Sequence, residues 1–387
     1  MRAVTYRYSA LERVVFGEPA TAAINAELDR TGRSRVCVVT TRSVASSAPF
    51  AAIVEALGKR CVGVFSGVAA HGPLECVISG AAAARSARPD LLLAVGGGSA
   101  IDAVKLMLLC LRHDITKLEE LDSYRGFSTP DFSVPPVDAS SWLRMVAVPT
   151  TLSAAEFTWF GGAYDARRRV KDPYGYPMMV PQAIILDPAL TLATPLPLFL
   201  STGMKAIDHA AERLASLTVE PLTEAISVQA LRLLSRALPR VLAEPTDLEA
   251  RFDCQMGMAV AMAGPAAGVG VGASHAIGHV LGAHSGVAHG HTSCVLLPSV
   301  MRWNRVANEA RQKIISEAMG RSDVDAGTAL SELVKRLKLP QRLRDVGVRR
   351  EDFTAIAEKV LHDFAIRGNP RTVTTPAQIV EILDLAW

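Results

Sequence analysis

The run PDLLLAVGGGSAIDAVK, Pro89–Lys105, constrains this chain more than any other stretch. Apolar residues Leu91–Val95 lead into Gly96, Gly97 and Gly98, and a helical period begins at once behind them. A strand handed to a helix through glycines is the turn of a βαβ unit, and its neighbours repeat the pattern. SRVCVVTTR reads as a strand, APFAAIVEALG as a helix, KRCVGVFSG as a strand and PLECVISGAAAARSARP as a helix. LRMVAVPTT and QAIILDP add two further strands, with the long loop SYRGFSTPDFSVPPVDASSW before them. From Leu196 onward the period is helical almost throughout. The expected architecture is an α/β nucleotide-binding domain with a parallel sheet over residues 1–187 and an all-α domain over 188–387, the boundary falling near Asp187.

The glycine turn implies a dinucleotide. Without Cβ atoms, Gly96, Gly97 and Gly98 let backbone N–H groups approach a pyrophosphate, and Ser99 and the helix N-terminus add donors. Asp102, in the first helical turn, is either a helix-start carboxylate or a contact to the nicotinamide side. At the end of SRVCVVTTR an acidic residue would bind the ribose of NAD, whereas Thr41 and Arg42 stand there and suit the 2′-phosphate of NADP. NADH and NADPH both remain open. Thr150 and Thr151, at the end of LRMVAVPTT, either bond the cofactor or simply close a turn after Pro149.

Other partners find little support. A net charge of +3, with no basic run longer than Arg167–Arg169, argues against nucleic acid. The uncharged segment Met256–Ser274 is too rich in Gly and Pro, and too poor in bulk, to suggest a membrane span. Six scattered cysteines without framework spacing, and an N-terminus without an apolar leader pattern, fit a reducing cytoplasm.

The second half carries the chemistry. GASHAIGHVLGAHSGVAHGH holds five of the nine histidines. His275 and His279 are four apart on one helical face, and His289 follows His275 by fourteen residues. Upstream, Lys205 and His209 are again four apart. Such a set suggests a metal site or a descendant of one, while His284 and His291 read as loop or supporting histidines.

GGGSAIDAVK, VPTTLSAAEFT, IILDPALT, TGMKAIDHAAE and HAIGHVLGAHSGVAHGHTSCVLLPSVMRWN resemble, in order and spacing over nearly the whole chain, the iron-containing (group III) alcohol dehydrogenase superfamily. The resemblance implies the fold shared with dehydroquinate synthase. It also implies an NAD(P)-dependent oxidoreductase and a homodimer. In that family TGMDALTHAIE gives an aspartate and a histidine to a divalent metal, and two histidines fourteen apart complete the set. The matching positions here are Lys205, His209, His275 and His289.

Lys205 breaks the pattern, because an ammonium donates hydrogen bonds and repels a cation. Three imidazoles alone can hold zinc, so iron or zinc on His209, His275 and His289 stays the alternative to no metal. PTTLSAAEFT, DHAAERLAS and RVVFGE are similar to the PTT loop, the AHAAEGLYS helix and the RVVFG opening of the maleylacetate reductase branch, which usually has asparagine in place of the aspartate. That likeness implies a metal-independent reductase of an unsaturated keto acid from aromatic-compound catabolism. Lys205, its pKa lowered by neighbouring cations, would replace the metal's charge, and His209, His275 and His289 would position the substrate and supply a proton. His279 would order the pocket or lie beside the nicotinamide. The alternatives are a metal-dependent alcohol or aldehyde dehydrogenase and a lyase of the dehydroquinate synthase kind. No phosphate-clamping Arg/Lys cluster supports the lyase.

Overall fold

The computed structural model describes residues 9–70, 72–127, 141–168, 170–262 and 269–387. Most of the loop 123–142, the last arginine of Arg167–Arg169 and part of Met256–Ser274 lie outside the described residues.

The chain divides into two compact units, parting between Thr194 and Pro195. The expected boundary at Asp187 comes earlier than this. The 3-10 turn Ala189–Ala193 stays with the sheet because Leu190 is buried in its core, and Thr194 Oγ1 donates to the Thr150 carbonyl at 2.7 Å.

In the first unit the elements run β1 (Arg13–Phe16), α1 (Ala20–Thr31), β2 (Val36–Thr41), α2 (Arg42–Ala45), α3 (Ala48–Leu57), β3 (Cys61–Val68), α4 (Leu74–Ala87), β4 (Leu91–Gly96) and α5 (Gly98–Arg112). Then come β5 (Gly126–Phe127), β6 (Arg144–Pro149), β7 (Phe160–Asp165), β8 (Val170–Gly175) and β9 (Ala183–Leu186). Six strands form one parallel sheet in the order β1-β9-β6-β4-β2-β3, and β5, β8 and β7 form a small second sheet.

Every residue of β4 and β6 is buried, as a parallel sheet covered on both faces requires. Leu91, Leu93 and Val95 point into one core and Leu92 and Ala94 into the other, which is the strand period of two made visible. The parallel edge strand β1, helix α1 and the β7–β8 hairpin are elements that the hydrophobic pattern did not single out. β1 is short and half-exposed, and α1 has only a weak apolar stripe.

The second unit is helical: α6 (Leu196–Ala215), α7 (Pro221–Ala243), α8 (Leu248–Met262), α9 (Ala273–Ser285), α10 (His289–Ala318), α11 (Ala326–Arg336), α12 (Phe353–Val360) and α13 (Pro376–Leu385). No helix among the described residues is long and apolar enough to cross a membrane.

Two local features bring the histidine helices together. Gly286, at φ +68°, ends α9 in the left-handed conformation, so that α10 starts after a very short turn. Gly290 lets α10 press against α6, since a Cβ there would fall 2.7 Å from the carbonyl carbon of Ser201. His209 on α6, His275 on α9 and His289 at the start of α10 thus come from three helices of one unit.

Candidate active site

In the sheet unit, β3 lies beyond β2 while β6 lies beyond β4. The chain therefore reverses its direction across the sheet between β2 and β4, and ligands of open α/β sheets bind at the carboxyl ends of such a switch point. Thr41 ends β2 and Gly96 ends β4 at that place. Gly97 is the N-cap of α5. A Cβ on Gly97 would come 3.1 Å from Thr151 Oγ1, and one on Gly98 3.0 Å from Ser153 Oγ. Both hydroxyl oxygens are buried with no hydrogen-bond partner among the described residues. They face the start of α5, whose first N–H groups have no partner within the helix. Backbone donors and hydroxyls around bare glycines make an anion cradle. Ser153 is the member of this group that its sequence neighbourhood did not reveal, because only the fold carries it to Gly98.

Other expected cofactor residues are already engaged. Asp102 Oδ2 accepts from the Gly162 N–H at 3.2 Å, with the Lys105 and Lys171 ammonium groups at 3.9 and 4.0 Å, so this carboxylate ties α5 to β7. Thr41 Oγ1 caps α2 by accepting from the Val44 N–H at 3.4 Å. Arg42 is exposed and Ser99 half-buried in the first turn of α5. The Thr150 N–H donates to the Gly96 carbonyl at 3.1 Å, which fixes the strand end.

Beneath this cradle Lys105 is fully buried and donates to the Ala155 and Phe160 carbonyls and to Thr158 Oγ1. Thr158 therefore has a structural role. Glu156 is buried beside Lys105, and apart from its own backbone N–H its oxygens meet no donor. Burial pushes its pKa up to about 7 from an ordinary 4.5, although Lys105 pulls it down.

Between those two values the folded chain binds more protons than the unfolded one, so this group's contribution to stability falls as pH rises from 4.5 to 7. Glu156→Gln is expected to remove that slope. In urea unfolding, the variant's midpoint relative to wild type should rise steadily from about pH 5 to about pH 8. Taking the difference cancels the opposite slope that buried neutral histidines give to both proteins. A constant difference across pH would show Glu156 ionised in the fold.

In the helical unit the rings of His209 and His275 lie 4.6 Å apart, His275 and His279 6.3 Å, and His279 and His289 6.2 Å. The four histidines thus form one continuous cluster. His284 instead has Lys359 Nζ 3.2 Å from its Nδ1 and Asp352 at 3.9 Å, and His291 is half-buried outside the row.

His275 and His279 are each held by a carboxylate, while His209 Nδ1 is buried with no hydrogen-bond partner among the described residues. His275 Nδ1 lies 2.8 Å from Glu212 Oε2 and is the donor there, which leaves a lone pair on Nε2, buried and without a partner. Glu212 also accepts from the Gly272 and Ser274 N–H groups at 2.7 Å each and so caps α9. Asp208 Oδ2 accepts from Ser274 Oγ at 2.8 Å and Ser293 Oγ at 2.7 Å. His279 Nδ1 lies 2.9 Å from Asp363 Oδ2, and Phe364 stacks on its ring at 5.7 Å.

Burial holds His209 and His275 neutral, with their pKa values far below the ordinary one, and the nearby Lys205 and Arg213 cations push in the same direction. Burial raises the Asp208 and Glu212 carboxyls, to about 6 and about 7. Asp208, Glu212 and His275 are close enough together to suggest an ion. Both Glu212 oxygens and Asp208 Oδ2 are instead taken up by hydroxyl, imidazole and N–H donors in a helix-capping network, while Asp208 Oδ1 and His275 Nε2 are buried with no hydrogen-bond partner among the described residues. The sequence does not single out Asp208, Glu212 and Arg213, since charged residues in helical stretches read as solvated faces, nor Asp363, whose partner His279 lies far away along the chain. The burial of the first three is a tertiary fact.

The Fe-containing alcohol dehydrogenase C-terminal family model matches residues 199–387, and the iron-containing alcohol dehydrogenase model matches residues 12–188. The chain belongs to the iron-containing alcohol dehydrogenase family and is an oxidoreductase of that family. It is 34% identical over 335 residues to the 1,3-propanediol dehydrogenase of Citrobacter freundii, covering 84% of this chain and 83% of the relative. It is 29% identical over 371 residues to maleylacetate reductase 1 of Cupriavidus pinatubonensis, covering 94% and 92%. The crystal structure of maleylacetate reductase from Rhizobium sp. strain MTP-10005 superimposes with a TM-score of 0.82 at 28% identity, over 100% of this chain and 99% of that one.

Proposed function

We propose that this protein is an NAD(P)H-dependent reductase that works without a metal ion on an unsaturated keto acid of the maleylacetate kind. The observation that carries this reading is Lys205, an ammonium beside two buried neutral imidazoles, at the position where the family motif places a carboxylate ligand. The donor set does not fit a dication. A cation stands in the ligand row, and Asp208 Oδ2 is engaged by Ser274 and Ser293.

The cradle of Gly97, Gly98, Ser99, Thr151 and Ser153 fits a pyrophosphate, and Arg42 with no acidic neighbour at the end of β2 favours the 2′-phosphate of NADPH over NADH. Once bound, the reduced nicotinamide supplies a hydride to the substrate's activated C=C, or to its C=O. The electron pair displaced from the C=C comes to rest on the keto oxygen as an enolate. Lys205, half-buried beside the imidazoles, opposes that charge, and a positioned cation there is worth more than one free in solution. His275 Nε2 accepts a hydrogen bond from an acid proton or bound water and so orients the substrate. With His209 and His275 held neutral, the proton that completes the reduction falls to His279 or His289.

Gently purified protein is expected to contain substoichiometric iron and zinc by plasma mass spectrometry, and to oxidise NADPH with maleylacetate at a rate that a chelator does not change. One metal per chain, with activity lost on chelation, would overturn the metal-free mechanism. A second reading, a metal-dependent alcohol or aldehyde dehydrogenase, has one observation in its favour. His275 is held by a carboxylate at Nδ1 with Nε2 left open, which is how metal-ligating histidines are oriented. Oxidation of 1,3-propanediol with added iron would support it.

A further inference from the structure

Helix α6 carries more buried charge than the motifs it matches. By the helical period, Lys205, His209 and Arg213 lie above one another, and Asp208 and Glu212 form the adjacent row. Lys205 and Asp208 stand where TGMDALTHAIE has aspartate and threonine, and Arg213 where AHAAEGLYS has glycine. Asp208, Glu212 and Arg213 are all nearly inaccessible, at 1%, 4% and 6% exposure. Arg213 is fixed in place, its Nη1 donating to the Ala261 carbonyl at 2.6 Å and touching Met262 Sδ at 3.4 Å. Charges buried in this way cost several kcal/mol each unless they balance, on the order of the desolvation of one ion.

The balance is simple. A divalent metal with one aspartate ligand carries a single net positive charge, and so does one lysine. Asp208 and Arg213 add one charge of each sign. Glu212 has its counterpart in both motifs and so enters each sum alike, and the formal charge of the cluster therefore matches that of a metal-loaded site. The rest of the metal scaffold is intact: His209 on α6, His275 with Nε2 open, and His289 brought in by Gly290.

We propose that this histidine cluster is a metal site closed by charge. Lys205 stands in for the metal–aspartate pair, and Arg213, one turn beyond His209, is a second barrier to any dication. This rests on the metal-free reading above and extends it: metal exclusion is a property of two named cations, and their removal reopens the site. Asp208 offsets the added positive charge in the formal sum, while Glu212 is the carboxylate that acts directly on Arg213.

The test is cobalt(II) titration of the full chain, read by the visible absorption bands of a low-coordinate cobalt site and by equilibrium dialysis. Wild type is expected to show no bands. Lys205→Asp is expected to bind about one cobalt per chain. Lys205→Asp/Arg213→Met should bind it about tenfold more tightly, the factor given by about 1.4 kcal/mol, while Lys205→Asp/Arg213→Lys should match Lys205→Asp alone. Circular dichroism establishes that each variant is folded, and Lys205→Glu provides the same carboxylate should Lys205→Asp not fold.

Folded carboxylate variants that bind no cobalt would overturn the proposal and leave the metal-free function standing. Equal affinity with Met and Lys at 213 would remove Arg213 from it. Tight cobalt binding by wild type would overturn the metal-free function itself.

Discussion

Lys205→Met is expected to lower kcat for the keto acid by about 10²- to 10³-fold, with little change in KM for NADPH. The magnitude is that of removing one preorganised group which stabilises charge developing in the transition state. Methionine keeps an unbranched apolar stem only one atom shorter and removes the ammonium, so the loss reports that group. The loss belongs in kcat because the enolate exists only after hydride transfer, and the ground-state substrate has less charge at that oxygen for Lys205 to oppose. Lys205→Arg should recover part of the activity, since a guanidinium keeps the charge but is broader and planar. The measurement is steady-state NADPH oxidation at saturating cofactor. A variant within threefold of wild type would show that the charge is stabilised elsewhere, and His279 with its Asp363 partner would be the next group to test.

Glu212→Ala is expected to destabilise the protein by about 3–5 kcal/mol, the range for breaking a buried charged network. One carboxylate caps the start of α9 through the Gly272 and Ser274 N–H groups, fixes the His275 ring and balances Arg213. Alanine would leave those N–H groups without acceptors in a site that excludes water, and would leave Arg213 without its nearest anion. Glu212→Gln retains acceptor oxygen but brings a donor NH2 toward N–H groups, so it should recover only part of the loss. Urea unfolding followed by circular dichroism checks both, and a loss below about 1 kcal/mol would mean that α9 is held by its packing alone. His275 depends on this cap for its orientation, so the same variant should lose activity even at temperatures where it stays folded.

The two halves of the site differ in how far the sequence discloses them. The glycine turn is legible because its geometry is local: a strand, three residues without side chains and a helix must meet at one place whatever surrounds them. Lys205, His209, His275 and His289 are legible through helical spacing and family resemblance. Asp208 and Arg213 sit in the same helix as Lys205 and His209 and were passed over. Nothing in a sequence distinguishes a buried charge from a solvated one when the helix is covered on every side. Ser153 and Asp363 were hidden for another reason. Their partners, Gly98 and His279, lie far away along the chain, and only folding brings them near.

By itself the sequence determined the strand–helix alternation from β2 to α5 with β6 and β9 after it, the helical character of the second half, the anion-binding turn and the identity of the histidines. Hydrophobic period and backbone chemistry act over a few residues, and these features need no more. The tertiary structure decided that β1 joins the parallel sheet at its edge, that Asp102 is tied to β7, and that His284 stands apart from the histidine row. It also decided that Asp208, Glu212 and Arg213 are buried on one helix, with Lys205 half-buried on the same helix. Whether a charge meets water or another charge depends on what packs over it, and that is settled only when distant segments close around α6.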